Sequence, residues 1–267
     1  MIIDDQHRFV FVHIPKCAGT SVRQILQKFD ASQGRFSSPL RQDHPQLGRL
    51  DMVHIPLAIL RQYFPQEYQK VKDYFSVSVL RDPFARFSSS LYQRLALYGE
   101  NSVKGISQKQ LKAALEEAIA FLAAQPRDAN LPYDYIHFQQ QSSYVFDLGE
   151  RLVHKLYTPQ TLTTMYCDIG KLVGEQLELS RGVHANRAVV YKSKSRRALG
   201  GIISPLYTPS VQKFLPITVK ERIKKAFYKS PNNKFGGLFD SETVRDFVSE
   251  YYAEDIALYK SVVAGND

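Results

Sequence analysis

One stretch constrains the fold more than any other. Phe9-Val10-Phe11-Val12-His13 is a short apolar, aromatic and β-branched run, and it leads straight into a loop containing Pro15 and Gly19. Apolar residues then recur at Val22, Ile25, Leu26 and Phe29, which is helical spacing over Ser21 to Phe29. The run reads as a buried strand, so the segment is a strand, a tight loop and a helix. Such a turn exposes unpaired amide groups at the positive end of a helix and is suited to binding an anion.

The same alternation recurs downstream. Leu50 to Ile55 and Phe75 to Leu80 are strand candidates, and Leu152 to Leu156 is a fourth. Helices are expected over Leu57 to Tyr63, Phe84 to Tyr98, Leu111 to Ala124 and Leu162 to Leu172. Strands alternating with helices predict an α/β fold, a central parallel sheet flanked by helices, with ligands beyond the carboxyl ends of its strands. Ala31 to Gly48, rich in polar residues, Gly and Pro, predicts a loop with freedom to move. Ser241 to Val263 predicts one closing helix, with Ser241 as its cap and an apolar stripe from Val244 to Tyr259.

At 267 residues the chain fits one α/β domain, 1–267, with a basic helical C-terminal segment from about residue 190. Cys17 and Cys167 are the only cysteines, too few for a disulfide framework or a structural zinc site. No stretch reaches the roughly 20 apolar residues that span a bilayer. Met1 to Arg8 does not read as an export signal, and a cytoplasmic location is expected. The net charge of +9 points to an anionic partner. Its basic residues are dispersed without a nucleic-acid motif, so a nucleic-acid partner is not expected.

Within the first loop, Gly19 permits close approach of backbone to an oxygen-rich group, Lys16 brings an ammonium, and Thr20 and Ser21 bring hydroxyls. The familiar triphosphate loop is Gly, four residues, Gly, Lys, Ser/Thr. Here Lys16 precedes Gly19, and Cys17 stands where the magnesium-binding hydroxyl would follow the lysine. A magnesium-dependent nucleotide or small-molecule kinase of similar fold is therefore disfavoured, and no metal is expected.

Phe11-Val12-His13-Ile14-Pro15-Lys16-Cys17-Ala18-Gly19-Thr20-Ser21 resembles the 5′-phosphosulfate loop of carbohydrate-type sulfotransferases. Arg81-Asp82-Pro83-Phe84-Ala85-Arg86-Phe87-Ser88-Ser89-Ser90-Leu91-Tyr92 is similar to that family's second cofactor motif, except for Leu91 where tyrosine is usual. Tyr251 to Tyr259 resembles its closing helix, whereas Lys155-Leu156-Tyr157-Thr158-Pro159 lacks the glutamate the family often carries there.

The resemblance implies a sulfotransferase fold like that of P-loop nucleotide kinases. It also implies 3′-phosphoadenosine 5′-phosphosulfate (PAPS) as cofactor and a hydroxyl acceptor, a sugar or glycan. Lys16, Cys17, Ala18, Gly19, Thr20 and Ser21 would hold the 5′ end, and Arg81 and Ser89 the 3′-phosphate. Arg offers phosphate a planar fork of donors. Arg86 either touches phosphate or pairs with Asp82.

Sulfuryl transfer needs a base for the acceptor hydroxyl and a stabiliser for the leaving phosphate. Lys16 suits the second role. Of seven histidines, His54, just after a strand candidate, is the expected base; His44, His137 and His184 are alternatives, as is a carboxylate. A non-catalytic anion-binding module is the remaining reading. Lys192 to Arg197 either reaches the 3′-phosphate, lines an acidic acceptor site or is a solvated loop. Lys213 to Lys229 suits a peripheral contact with an anionic membrane, a lid or an acceptor-binding segment.

Overall fold

A computed structural model describes residues 1–38, 41–99, 105–178, 190–191, 226, 228–229 and 232–265. His184 and most of the two basic clusters lie outside the described residues. The chain divides into two compact units. The first comprises residues 1–90, 123–185 and 246–267, and the second 91–122 and 186–245.

The first unit is built on a four-stranded sheet. β1 (Ile2–Asp4) and β2 (Phe9–Val12) pair antiparallel, and β2 pairs parallel with β5 (Phe75–Val79). β5 pairs parallel with β8 (Lys155–Tyr157), giving the order β1-β2-β5-β8. All four residues of β2 are at most 2% exposed, as a strand covered on both faces must be. Full burial of a side chain such as Phe9 or Phe11 contributes about 1.5–3 kcal/mol. β5 alternates with Ser76 and Ser78, whose buried hydroxyls are satisfied: Ser78 Oγ donates to Val12 C=O at 2.7 Å and Ser76 Oγ to Leu152 C=O at 3.0 Å.

The parallel register aligns Val12 with Ser78, so the segments leaving β2 and β5 emerge side by side at one edge of the sheet. That edge is where an α/β sheet binds ligands. β2 runs through the loop 13–18 into α1 (Gly19–Leu26), continued by a 3₁₀ turn over Gln27–Phe29. β5 runs through Leu80–Asp82 into α4 (Pro83–Tyr98), with proline in the first helical turn, where its missing N–H costs nothing.

Several expectations are corrected. β1 is an additional antiparallel edge strand, making the sheet mixed. The Leu50 to Ile55 segment is not part of that sheet. Its first residues form β4 (Gly48–Asp51), paired with β3 (Arg41–His44) in a separate hairpin. The polar stretch after Ala31 is partly ordered: the Asp30 carboxylate accepts hydrogen bonds from Ser32 and Gly34 N–H and from the Ser32 and Ser37 hydroxyls.

The α2 helix (Leu57–Tyr63) stops at Phe64, because Pro65 opens α3 (Pro65–Asp73) and disfavours helical geometry in the residue before it. A small hairpin, β6 (Phe146–Asp147) and β7 (Glu150–Arg151), precedes β8, and α6 (Leu162–Val173) follows it, closed by Gly174 at φ 69°. The closing segment is two helices, α8 (Glu242–Tyr251) and α9 (Ala253–Val263). They part at Tyr252, whose buried hydroxyl donates to Phe138 C=O at 2.8 Å. Ser241 does not cap through its side chain, which donates to Leu238 C=O.

In the second unit, α5 (Gln108–Ala123) buries Leu111, Leu115, Ala118 and Leu122, one face at helical spacing. The unit also contains the short pair β9 (Val190–Tyr191) and β10 (Tyr228–Lys229), and α7 (Asn232–Phe239). Among the described residues no helix is long and apolar enough to cross a membrane.

Candidate active site

The first loop is shaped by two non-glycine residues in the left-handed region, Lys16 at φ 66° and Ala18 at φ 64°. Alternation of this kind turns successive amides to one side, a concavity for an anion. The first intrahelical bonds of α1 run from Ser21 and Val22 N–H to Ala18 C=O, leaving the amides of Gly19 and Thr20 before the backbone ladder begins. No acidic residue lies in the first turn. Burial, together with the neighbouring Arg81 charge, lowers the Lys16 ammonium to about 8.

Cys17 plays a different part from its neighbours. It is 1% exposed, and its thiol donates to Pro15 C=O and to Gln141 Oε1 at 3.2 Å. Burial raises it to about 11. What Cys17 has to offer a ligand is backbone, not side chain.

Gly19 is required for a reason absent from the phosphate argument. A Cβ there would lie 1.9 Å from the His13 ring. The Cδ2–Nε2 side of the imidazole occupies the space a side chain at 19 would need, so the loop and His13 fix each other's position.

In the second loop, Arg81 Nη1 donates to Lys16 C=O at 3.1 Å, tying the two loops together. Asp82 Oδ1 accepts from Ala85 N–H at 2.9 Å and so serves α4, not Arg86. Arg86 is 1% exposed: Nε donates to Pro15 C=O at 3.1 Å, and Nη2 to the carbonyls of His137 and Gln139. Its nearest carboxylate is that of Asp255 in α9, 3.9 Å from Nη1. Of the two expectations for Arg86, the Asp82 pair is not formed, and a residue this deeply enclosed is bracing, not phosphate contact. The serines sort similarly. Ser88 and Ser90 donate to the carbonyls of Ala85 and His137, while Ser89 is half-buried.

Three imidazoles lie in a row beside the first loop. The His13 and His54 ring centroids are 4.5 Å apart, and those of His54 and His137 are 5.5 Å apart. Burial first, and then the charges of His54 and its neighbours, hold His13 well below its ordinary value and His137 at about 3. Both are neutral at working pH, and Nδ1 of each is buried without a hydrogen-bond partner among the described residues.

His54 differs in one respect: its Nδ1 lies 2.9 Å from Asp51 Oδ2. Burial works to raise the Asp51 carboxyl, but the charge and hydrogen bond of His54 outweigh it, and Asp51 sits at about 2. An ionised carboxylate there assigns the proton to Nδ1 and leaves Nε2 as the basic nitrogen. The backbone of Asp51 also holds the turn, accepting His54 N–H at 3.0 Å.

Sequence reasoning singled out His54 and missed Asp51. The available signal was the Asp-x-x-His spacing at a strand end. His137 was an alternative base, and the structure brings it to His54. It sends His44 elsewhere, against Tyr63 and Phe64.

Comparison with known proteins adds to this geometry. A model described as the Sulfotransferase family matches residues 1–153, which takes in both loops and all three imidazoles. Carbohydrate sulfotransferase 14 of Danio rerio is 21% identical over 160 residues, covering 60% of this chain and 39% of the relative, so the chain spans well under half the length of that protein. No solved structure matches significantly.

Proposed function

The chain belongs to the Sulfotransferase family, and from that premise we propose that it moves the sulfuryl group of PAPS to a hydroxyl of a sugar or glycan, with His54 as base. The observation that carries this reading is the Asp51–His54 pair beside the loop of Lys16. The expected single domain over 1–267 is kept as part of the proposal.

The residues present suit the cofactor. Lys16, the amides of Gly19 and Thr20, and the hydroxyls of Thr20 and Ser21 form an all-donor set at the first loop. Arg81 and Ser89 offer the second set for a 3′-phosphate. PAPS, when bound, supplies the sulfuryl group and a phosphate leaving group. The protein does the rest. Asp51 orients the imidazole of His54, Nε2 of His54 takes the acceptor's hydroxyl proton, and Lys16 places positive charge at the 5′ end. The buried neutral rings of His13 and His137 keep His54 from turning.

The kinase alternative is further weakened by Cys17. A buried thiol at about 11, already donating to Pro15 and Gln141, is no substitute for a magnesium-binding hydroxyl.

Calorimetry with adenosine 3′,5′-bisphosphate provides the test, paired with a transfer assay using radiolabelled PAPS over a panel of glycans. Lys16→Ala and Arg81→Ala are each expected to weaken binding by about tenfold or more, each removing charge-assisted bonds to phosphate. Unchanged affinity in both would overturn the cofactor assignment, and binding without transfer to any glycan would favour the anion-binding module.

Asp51, His54 and His137 also bring metal-ligating atom types within 4.8 Å of one another. A cation held there would compete with the proton that His54 must accept. Turnover is expected to survive EDTA and to fall on addition of Zn²⁺, read in the same assay. Loss of activity in EDTA, restored by a metal, would replace the proton-transfer role of this group.

A further inference from the structure

Gln141 is fully buried, and no part of the proposed chemistry uses it. Its side-chain amide nevertheless makes three bonds. Oε1 accepts Arg81 N–H at 2.9 Å and the Cys17 thiol at 3.2 Å, and Nε2 donates to Arg81 C=O at 2.9 Å. One amide thus pairs with the Arg81 backbone as a neighbouring strand would, while also holding the first loop.

Gln141 is itself fixed from behind. Its N–H and that of Ser142 donate to the two oxygens of Asp255, each at 2.8 Å. Asp255 is 1% exposed and belongs to the first turn of α9. The same carboxylate faces Arg86, whose other bonds reach Pro15, in the first loop, and the His137 and Gln139 carbonyls. The braced chain therefore runs from α9 through residues 137–142 to both phosphate loops, through polar contacts that are buried or partly buried.

We infer that Gln141 is a positioning residue that fixes the spacing of the two loops, so that one ligand with phosphate at both ends engages them together. This rests on the cofactor reading above. Two subsites held at the correct spacing bind a two-ended ligand far more tightly than either end alone, and that advantage vanishes when the spacing is loose. A ligand with a single phosphate gains nothing from the spacing.

The test compares adenosine 3′,5′-bisphosphate with adenosine 5′-monophosphate by calorimetry on the full chain. Gln141→Leu keeps the volume and removes all three bonds. It is expected to weaken the bisphosphate by about tenfold or more and the monophosphate by less than about threefold, so the ratio of affinities collapses. Gln141→Glu keeps the acceptor toward Arg81 N–H and loses the donor; it covers the case in which the leucine variant does not fold, and an intermediate collapse of the ratio is expected. Equal weakening of both ligands would mark a general structural role, and an unchanged ratio in both variants would show that the clamp does not set the spacing; either result overturns the inference. If the wild-type protein shows no preference for the bisphosphate, the cofactor reading itself fails, a result recognisable before any variant is made.

Discussion

Replacing His54 by alanine is expected to lower kcat by about 10²–10⁴-fold, the usual worth of a positioned general base. Affinity for adenosine 3′,5′-bisphosphate is expected to stay within about threefold, because the phosphate donors belong to other residues. Asp51→Asn separates orientation from charge. Asparagine can donate to Nδ1 and so favour the tautomer whose proton sits on Nε2, where the lone pair is needed. It should therefore lower kcat with little change in binding, although the imidazole is still present. The measurement is steady-state transfer kinetics together with calorimetry. Near-normal turnover in His54→Ala would remove His54 from the mechanism and direct attention to His137.

The largest effect on stability is expected from Asp255→Ala. It leaves the Arg86 guanidinium buried with no carboxylate, only three carbonyls and the Tyr252 ring beside it, and leaves two buried amides, of Gln141 and Ser142, without acceptors. Removing one member of a buried pair costs about 3–5 kcal/mol, a large part of the roughly 5–15 kcal/mol that holds a domain folded. Equilibrium denaturation in urea would show it as a lowered midpoint. Burial raises the Asp255 carboxyl even with Arg86 beside it, so the pair is not a source of large net stability. The cost arises from orphaning its partners. A double variant, Arg86→Met with Asp255→Leu, should recover much of the loss. Loss of less than about 1 kcal/mol in Asp255→Ala would mean that the three carbonyls alone satisfy Arg86.

What could be read in the sequence was local. The β2–loop–α1 segment and the β5–loop–α4 segment each carry their signal within about a dozen residues: an apolar run, a proline or glycine, then helical spacing. Both were found where expected, and so was α2. The Leu50 to Ile55 segment misled, because a short apolar run does not say which strand it will pair with; only β4 forms there, against β3. The closing helix misled for a related reason: the apolar stripe runs on from Val244 to Tyr259, but the backbone leaves helical geometry at Tyr252, where φ is −107° and ψ 29°.

The site was half legible. Residues proposed to touch an anion announce themselves by type and position, as Lys16, Gly19 and Arg81 do. Residues that act on other residues do not. Gln141 reads as one of three consecutive glutamines, and Asp255 as one of two acids on a surface helix. Their roles exist only once segments more than a hundred positions apart have met.

That separation has a consequence for how the protein is made. Cys17 and Gln141 lie 124 positions apart, and Gln141 and Asp255 lie 114 apart. On a ribosome, both loops have emerged long before the helix that braces them. Loop closure over such distances comes late, after local structure has formed. On the inference above, the spacing that suits a two-ended anion would be fixed only once α9 has docked behind Gln141. Ligand affinity coupled in this way to the docking of α9 would make binding a report on whether that helix is in place.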